Sequence, residues 1–215
     1  MAIKIGVFDS GVGGKTVAMT IEAVLPHVEV LYASDSGNVP YGGRENAEII
    51  SLTDRAIQPL LQAECNAIVL ACNTATAAAI EYLREKYSSV RFIGLEPTVK
   101  PAVLATQNKV VAVCATPYTL TSARYLNLKD RYASDVKILE PDCSNWALMI
   151  ESKSMTIDCI KNTINTLLDN GADVIVLACT HYHWIKDEIN SIAQGRALVI
   201  DPSQAIVERV KLLID

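Results

Sequence analysis

An apolar five-residue run that ends in cysteine occurs twice, and this repeat limits the folds open to the chain more than any other feature. Ile68-Val69-Leu70-Ala71-Cys72 matches Ile175-Val176-Leu177-Ala178-Cys179, with Cys179 standing 107 positions after Cys72. Each run is short, uninterrupted and rich in branched side chains, the pattern of a strand buried on both faces. The same spacing sets the run 3–8, ending at Asp9, on the run 109–115, ending at Thr116, and it sets Asp35 on Asp142. Further strands are predicted at 28–33, 136–139 and 198–200. Helices are predicted at 15–25, 45–63, 76–87, 120–128, 156–168, 184–193 and 203–213. Strand–helix alternation of this kind builds parallel sheets covered by helices on both faces. The expected architecture is two pseudo-symmetric α/β domains, residues 1–97 with 202–215 and residues 98–201, with the active site in the interdomain cleft. A chain of 215 residues is long enough for two such cores.

In open α/β sheets, ligands bind at the carboxyl ends of the strands. Asp9, Cys72, Thr116 and Cys179 all stand just past apolar runs. Cys72-Asn73-Thr74 and Cys179-Thr180-His181 each place a thiol, then polar groups, where a helix is expected to begin. A thiol there is expected to have a lowered pKa, because the helix dipole and free N–H groups favour thiolate. Two thiols on opposite faces of one Cα could exchange its proton without either crossing the substrate, one acting as thiolate base and the other as thiol acid. Asn73, Thr74, Thr180 and nearby N–H groups would stabilise the carbanion through the substrate carboxylate. His181, two residues from Cys179, could support the thiol–thiolate exchange.

Two glycine-rich segments flank this chemistry. Asp9-Ser10-Gly11-Val12-Gly13-Gly14-Lys15-Thr16 nearly spells the phosphate loop G-x-x-x-x-G-K-[ST]. Gly14-Lys15-Thr16 fits its end, but Asp9 replaces the first glycine and would set a carboxylate beside phosphates. A tight turn presenting Asp9 and Ser10 to a ligand's ammonium and carboxylate fits better, with a nucleotide-binding ATPase as the rival from another class. Pro40-Tyr41-Gly42 reads as a turn whose N–H groups could hold a second carboxylate. Trp146 and Trp184 read as packing residues.

Composition excludes several classes. The net charge of -5, without a Lys/Arg cluster, argues against a nucleic-acid surface. No apolar stretch approaches the roughly 18 residues of a membrane span, and the first residues lack a signal-peptide core. The expected location is the cytoplasm. There the six cysteines should be thiols, and no pair has the C-x-x-C spacing of a zinc or redox site. No metal or cofactor is expected.

Taken together, Asp9 to Gly14, Pro40-Tyr41-Gly42, Ala71-Cys72-Asn73-Thr74, Thr116-Pro117-Tyr118-Thr119, Cys179-Thr180-His181-Tyr182 and the stretch from Cys143 to Glu151 resemble the aspartate/glutamate racemase superfamily, and within it the glutamate racemases. The matches run in order from Asp9 to Asp201. The resemblance implies a PLP-independent, two-base interconversion of L- and D-glutamate that supplies D-glutamate for peptidoglycan. It implies that Cys72 and Cys179 are the acid/base thiols, with Asp9, His181 and Glu151 as supporting groups. Ser10, Asn73, Thr74 and Thr180 would contact the reacting amino acid. Pro40, Tyr41, Gly42, Thr116 and Thr119 would line the pocket and hold the side-chain carboxylate. A homodimer is the implied assembly. Ala178, where the family usually has Gly, His183-Trp184, where Pro usually follows His-Tyr, and Thr98, where glycine is common, depart from the pattern and bear on substrate preference. Within the class the alternative is a racemase of aspartate or another amino acid. Outside it, a non-catalytic binding protein on the same scaffold is the other alternative.

Overall fold

A computed structural model describes residues 3–214. In chain order the elements are β1 (Ile3–Asp9), α1 (Gly14–Val24), β2 (Val28–Ser34), α2 (Asn46–Ala56), α3 (Gln58–Gln62), β3 (Ala67–Leu70), α4 (Asn73–Lys86), β4 (Arg91–Gly94), α5 (Val99–Ala105), β5 (Val110–Ala115), α6 (Pro117–Thr121), α7 (Ala123–Tyr132), β6 (Lys137–Leu139), α8 (Trp146–Glu151), α9 (Ile157–Asp169) and β7 (Val174–Ala178). A 3-10 helix (Thr180–Ile185), α10 (Lys186–Ala193), β8 (Leu198–Ile200) and α11 (Ser203–Ile214) follow. The chain divides into two compact units. The first runs to Glu96 and resumes at Pro202, and the second is Pro97–Asp201.

Each unit holds a four-stranded sheet, β2-β1-β3-β4 in the first and β6-β5-β7-β8 in the second. Every pairing is parallel, and the two strand orders are the same once the halves are superposed in sequence. Helices cover the sheets because the strands are apolar on both faces. In the second unit, alternate residues of β5 and β7 divide between two clusters. Ala112, Cys114, Ile175 and Leu177 pack with α9 and α10. Val111, Val113, Val174 and Val176 pack with α5 and α7. This is the period of two expected of a strand. Burying each such Val, Leu or Ile contributes about 1.5–3 kcal/mol, so a continuous apolar run is stable only when both faces are covered.

Ladder register corrects the repeat as read from spacing. Phe8 lies opposite Leu70, and Cys114 lies opposite Leu177. With Leu70 equated with Leu177, Asp9 therefore falls on Ala115 and Ser10 on Thr116. On the other side Val30 pairs Ile5 and Ile138 pairs Val111, so Val30 falls on Ile138, one residue off the spacing that set Asp35 on Asp142. The duplicated cysteine strands and the edge strands beyond them, β4 and β8, keep the spacing, while β1/β5 and β2/β6 are each offset by one residue.

Local structure departs from the expected elements at several points. The helix expected over 45–63 breaks at Ile57, where α2 ends and α3 starts with Pro59 in its first turn. Pro59 has no N–H to extend the preceding turn but fits the first turn of a new helix. α4 begins at Asn73 rather than 76, capped by Cys72. β4, α5 and α8 fall where the sequence pattern predicts no element. Trp184 is 53% exposed, so it does not pack as expected, whereas Trp146 is buried edge-on against Tyr182, with ring centroids 5.3 Å apart. No described helix is long and apolar enough to cross a membrane.

Candidate active site

In the first unit the functional groups gather at the carboxyl ends of the two central strands. β1 ends at Asp9, whose side chain is fully buried. The Gly11 N–H donates to Asp9 Oδ2 at 3.0 Å, so the glycine loop folds back onto its own carboxylate. Ser10 Oγ lies 3.3 Å from Cys72 Sγ. Cys72 caps α4, its sulfur accepting the Ala75 N–H at 3.4 Å. The Tyr32 hydroxyl donates to the Gly11 carbonyl at 2.7 Å and ties the loop to β2.

This loop offers no phosphate cradle. Its Gly11 amide already serves Asp9, and Lys15 stands exposed in the first turn of α1. Gly14 is required by close approach. A Cβ there would collide with Asp9 Cβ and lie 3.2 Å from Ala71 Cβ.

The Cys72 thiol titrates opposite to expectation. Burial raises it, the Asp9 carboxylate adds to the rise, and together they outweigh the stabilising bonds from Ser10 and Ala75, moving it from an ordinary 9.0 up to about 11. Helix N-termini favour thiolate, but desolvation disfavours any buried charge and here it is the larger effect. At neutral pH Cys72 therefore stands as a thiol, ready to donate a proton. A folded-state value above the unfolded one contributes stability that is fully present below pH 9 and lost as pH rises through about 11. The expected loss from this thiol is about 2–3 kcal/mol. Urea titrations at pH 8 and pH 10.5 should show the decline, and Cys72→Ala should reduce it.

Tyr41 is buried beside this cluster, following a cis Val39–Pro40 peptide. Its hydroxyl donates to Asp35 Oδ2 at 2.7 Å. Burial and the adjacent carboxylate push the phenol up, so it stays protonated. Asn73, also buried, is different: among the described residues neither its amide nitrogen nor its amide oxygen has a hydrogen-bond partner. Buried amides are costly unless satisfied, and this one lies at the first position of α4, next to the thiol.

The second unit arranges its thiol differently. Cys179 follows β7 and opens a 3-10 helix rather than an α-helix. Its sulfur lies 3.9 Å from His181 Nδ1, and His181 Nε2 lies 2.7 Å from Glu151 Oε1. A carboxylate on Nε2 holds the imidazole in one orientation and leaves Nδ1 turned to the sulfur. The result is a thiol–imidazole–carboxylate chain in which His181 is buried. Thr116 caps α6, its Oγ1 accepting the Thr119 N–H at 3.3 Å and lying 3.0 Å from Thr119 Oγ1. Thr180 is buried next to Cys179.

The sequence-selected residues thus form two groups. Asp9, Ser10, Cys72, Asn73, Thr74 and the Pro40–Gly42 turn belong to the first unit. Thr116, Thr119, Glu151, Cys179, Thr180 and His181 belong to the second. Missed in the sequence were the support given by Tyr32, the carboxylate of Asp35 and the close approach at Gly14. The Asp-then-Pro-Tyr-Gly spacing could have signalled Asp35; nothing local signals Tyr32. Among the described residues no group of His, Cys, Asp and Glu is placed to hold a metal ion.

Residues 15–210 match the profile of the Asp/Glu/Hydantoin racemase family. The chain belongs to that family. Among curated members of the Asp/Glu/Hydantoin racemases, the glutamate racemase of Herpetosiphon aurantiacus is 40% identical over 214 residues, 98% of this chain and 84% of that protein. Among solved members, Escherichia coli glutamate racemase in complex with L-glutamate and the activator UDP-MurNAc-Ala superposes with a TM-score of 0.89 at 29% identity, over 99% of this chain and 82% of that one. Francisella tularensis glutamate racemase in complex with D-glutamate gives 0.83 at 28% identity, over 99% and 81%. The architecture of two parallel-sheet α/β units flanked by helices is the one these racemases share.

Proposed function

We propose that this chain interconverts L- and D-glutamate by proton transfer at Cα, without PLP or another cofactor, with Cys72 and Cys179 as the two acid/base groups. The observation that carries the reading is the pair of thiols on equivalent strands of two like units, each backed by its own polar system. Cys72 has Ser10 and Asp9 beside it. Cys179 has His181 and Glu151. The names of the racemases similar to this chain supply the substrate.

On this reading Cys72 and Cys179 serve opposite faces of Cα, one removing the proton as thiolate while the other returns one as thiol. Asp9 and Glu151, the latter through His181, set the charge around each thiol. Ser10, Asn73, Thr74 and Thr180 hold the α-amino and α-carboxylate groups. Pro40, Tyr41, Gly42, Thr116 and Thr119 line the pocket around the side-chain carboxylate and hold that end of the substrate. The product, D-glutamate, feeds peptidoglycan. The enzyme works in the cytoplasm, where thiols stay reduced, as a homodimer.

Asn73 offers a separable check. Because its amide has no partner among the described residues, Asn73→Ala should leave the melting temperature unchanged or raise it. It should also lower kcat/KM by about 100-fold through loss of a donor aimed at the developing charge. A thermal melt together with initial rates separates the two effects.

The function itself is tested by incubating the protein with L- and with D-glutamate in D₂O, without added cofactor. Loss of optical rotation with deuterium entering the newly formed enantiomer is the expected result. Racemisation of L-aspartate but not glutamate would move the substrate and keep the chemistry. No exchange with any amino acid would overturn the reading.

A further inference from the structure

The carboxylate of Asp35 joins two parts of the first unit. Its backbone N–H donates to the carbonyl of Asp9 at 3.2 Å, anchoring it to the end of β1. Its Oδ1 accepts the Asn38 side-chain N–H at 2.8 Å, and its Oδ2 accepts the Tyr41 hydroxyl at 2.7 Å. The Asn38 N–H returns to the Asp35 carbonyl at 2.9 Å. Arg44 closes the loop from its far side, donating through Nε and Nη2 to the Asn38 carbonyl at 3.1 and 2.8 Å, while its N–H reaches the Tyr41 carbonyl at 3.0 Å. A phenol has one proton to give. Tyr41 gives it to Asp35, so it cannot also donate to a ligand carboxylate. Its ring supplies shape, and the loop's donors to an anion are main-chain N–H groups, whose positions depend on where Tyr41 is held.

We propose that Asp35 is a positioning residue that locks the Pro40-Tyr41-Gly42 turn to the strand end carrying Asp9, and so fixes the distance between the reacting thiol and the groups that receive the substrate's far carboxylate. This rests on the reading that the turn contacts substrate. Asp35 touches no reacting atom and acts through Tyr41. Loosening the turn therefore weakens binding more than it slows proton transfer.

The test is kinetic, on the full chain, with glutamate as substrate in both directions. Asp35→Ala and Tyr41→Phe should each raise KM about 10-fold, the scale of losing one hydrogen bond to a charged group, with kcat within about 2-fold of wild type. The double variant should be no worse than the worse single one, because both changes remove the same bond. Asp35→Asn keeps one carbonyl oxygen for two donors and should recover part of the loss. If Asp35→Ala fails to fold, Asp35→Asn and Tyr41→Phe carry the comparison, with melting temperatures alongside. KM unchanged in folded Asp35 variants, additive effects in the double variant, or a fall in kcat alone would each overturn the positioning role. Absence of turnover by the wild-type protein would instead sink the glutamate reading, so the two failures are distinguishable.

Discussion

Cys72→Ser and Cys179→Ser should each lower racemisation of glutamate by about 100- to 10,000-fold, the usual range for removing a positioned acid or base. Serine preserves the size and the hydrogen-bond geometry: at position 72 it can still face Ser10 and accept the Ala75 N–H. What it lacks is an acidity close enough to neutrality to exchange a proton. The two variants should also fail differently. In D₂O each retains one thiol, which on the proposed two-thiol reading still serves one face of Cα. One variant should wash the Cα proton out of one enantiomer without inverting it, and the other variant should do so for the opposite enantiomer. Mass spectrometry of recovered L- and D-glutamate reads this directly. Near-normal turnover by either variant would refute the two-thiol assignment, and washout of the same enantiomer by both would show that the thiols do not divide the two faces.

Gly14→Ala is the second change with a large expected effect. Alanine at a helical position is favoured over glycine by up to about 1 kcal/mol, so propensity alone would make the variant more stable. The contact reverses that sign. The new Cβ would collide with Asp9 Cβ and meet Asp9 Cγ at 3.1 Å and Ala71 Cβ at 3.2 Å. Asp9 cannot step aside, because β1 is an inner strand paired with β2 and β3. The first turn of α1 must back away instead. Overpacking of this kind costs about 1–3 kcal/mol and occasionally more. For a chain of this length that is a fall of about 2–12 °C in Tm. The same shift disturbs the Gly11–Asp9 bond and the carboxylate facing Cys72, so turnover should fall as well. A calorimetric scan and initial rates check both, and a variant that melts and turns over like wild type would show that the close approach is not needed.

These two residues also mark what could be read from sequence. The cysteine strands were legible because burial on both faces demands an uninterrupted apolar run, and two such runs ending in the same residue announce a duplicated sheet. β4 was not, since Arg91-Phe92-Ile93-Gly94 is four residues long and its period is shared by many loops. The break at Ile57 has a local cause in Pro59, which cannot extend the preceding turn but fits the first turn of a new helix; the apolar periodicity alone runs through it. Register escaped altogether: spacing set Asp9 on Thr116, whereas the ladders set Ser10 there. The thiol's titration was read from its helix alone, because the burial and the neighbouring carboxylate that reverse it come from β1, more than sixty residues away in sequence. Tyr32 is likewise visible only once β2 lies beside β1, whereas the carboxylate of Asp35 bonds within its own loop.

The second unit is an insertion within the first, and this has a consequence for synthesis. The chain leaves the first unit at Glu96 and returns only at Pro202. Ile206, Val207 and Val210 of α11 then bury against the cluster containing Val17 and Ile21 of α1, and the Arg91 guanidinium donates to the Leu213 carbonyl at 2.6 Å. A ribosome adding roughly 5–20 residues per second needs roughly 5–20 seconds to make the intervening unit. Throughout that interval the first sheet is complete in its strands but bare along the stripe that α11 will cover. The order of elements thus makes the first-born half of the molecule the last to close, and it places an exposed apolar strip on the nascent chain for the whole time its partner half is being built.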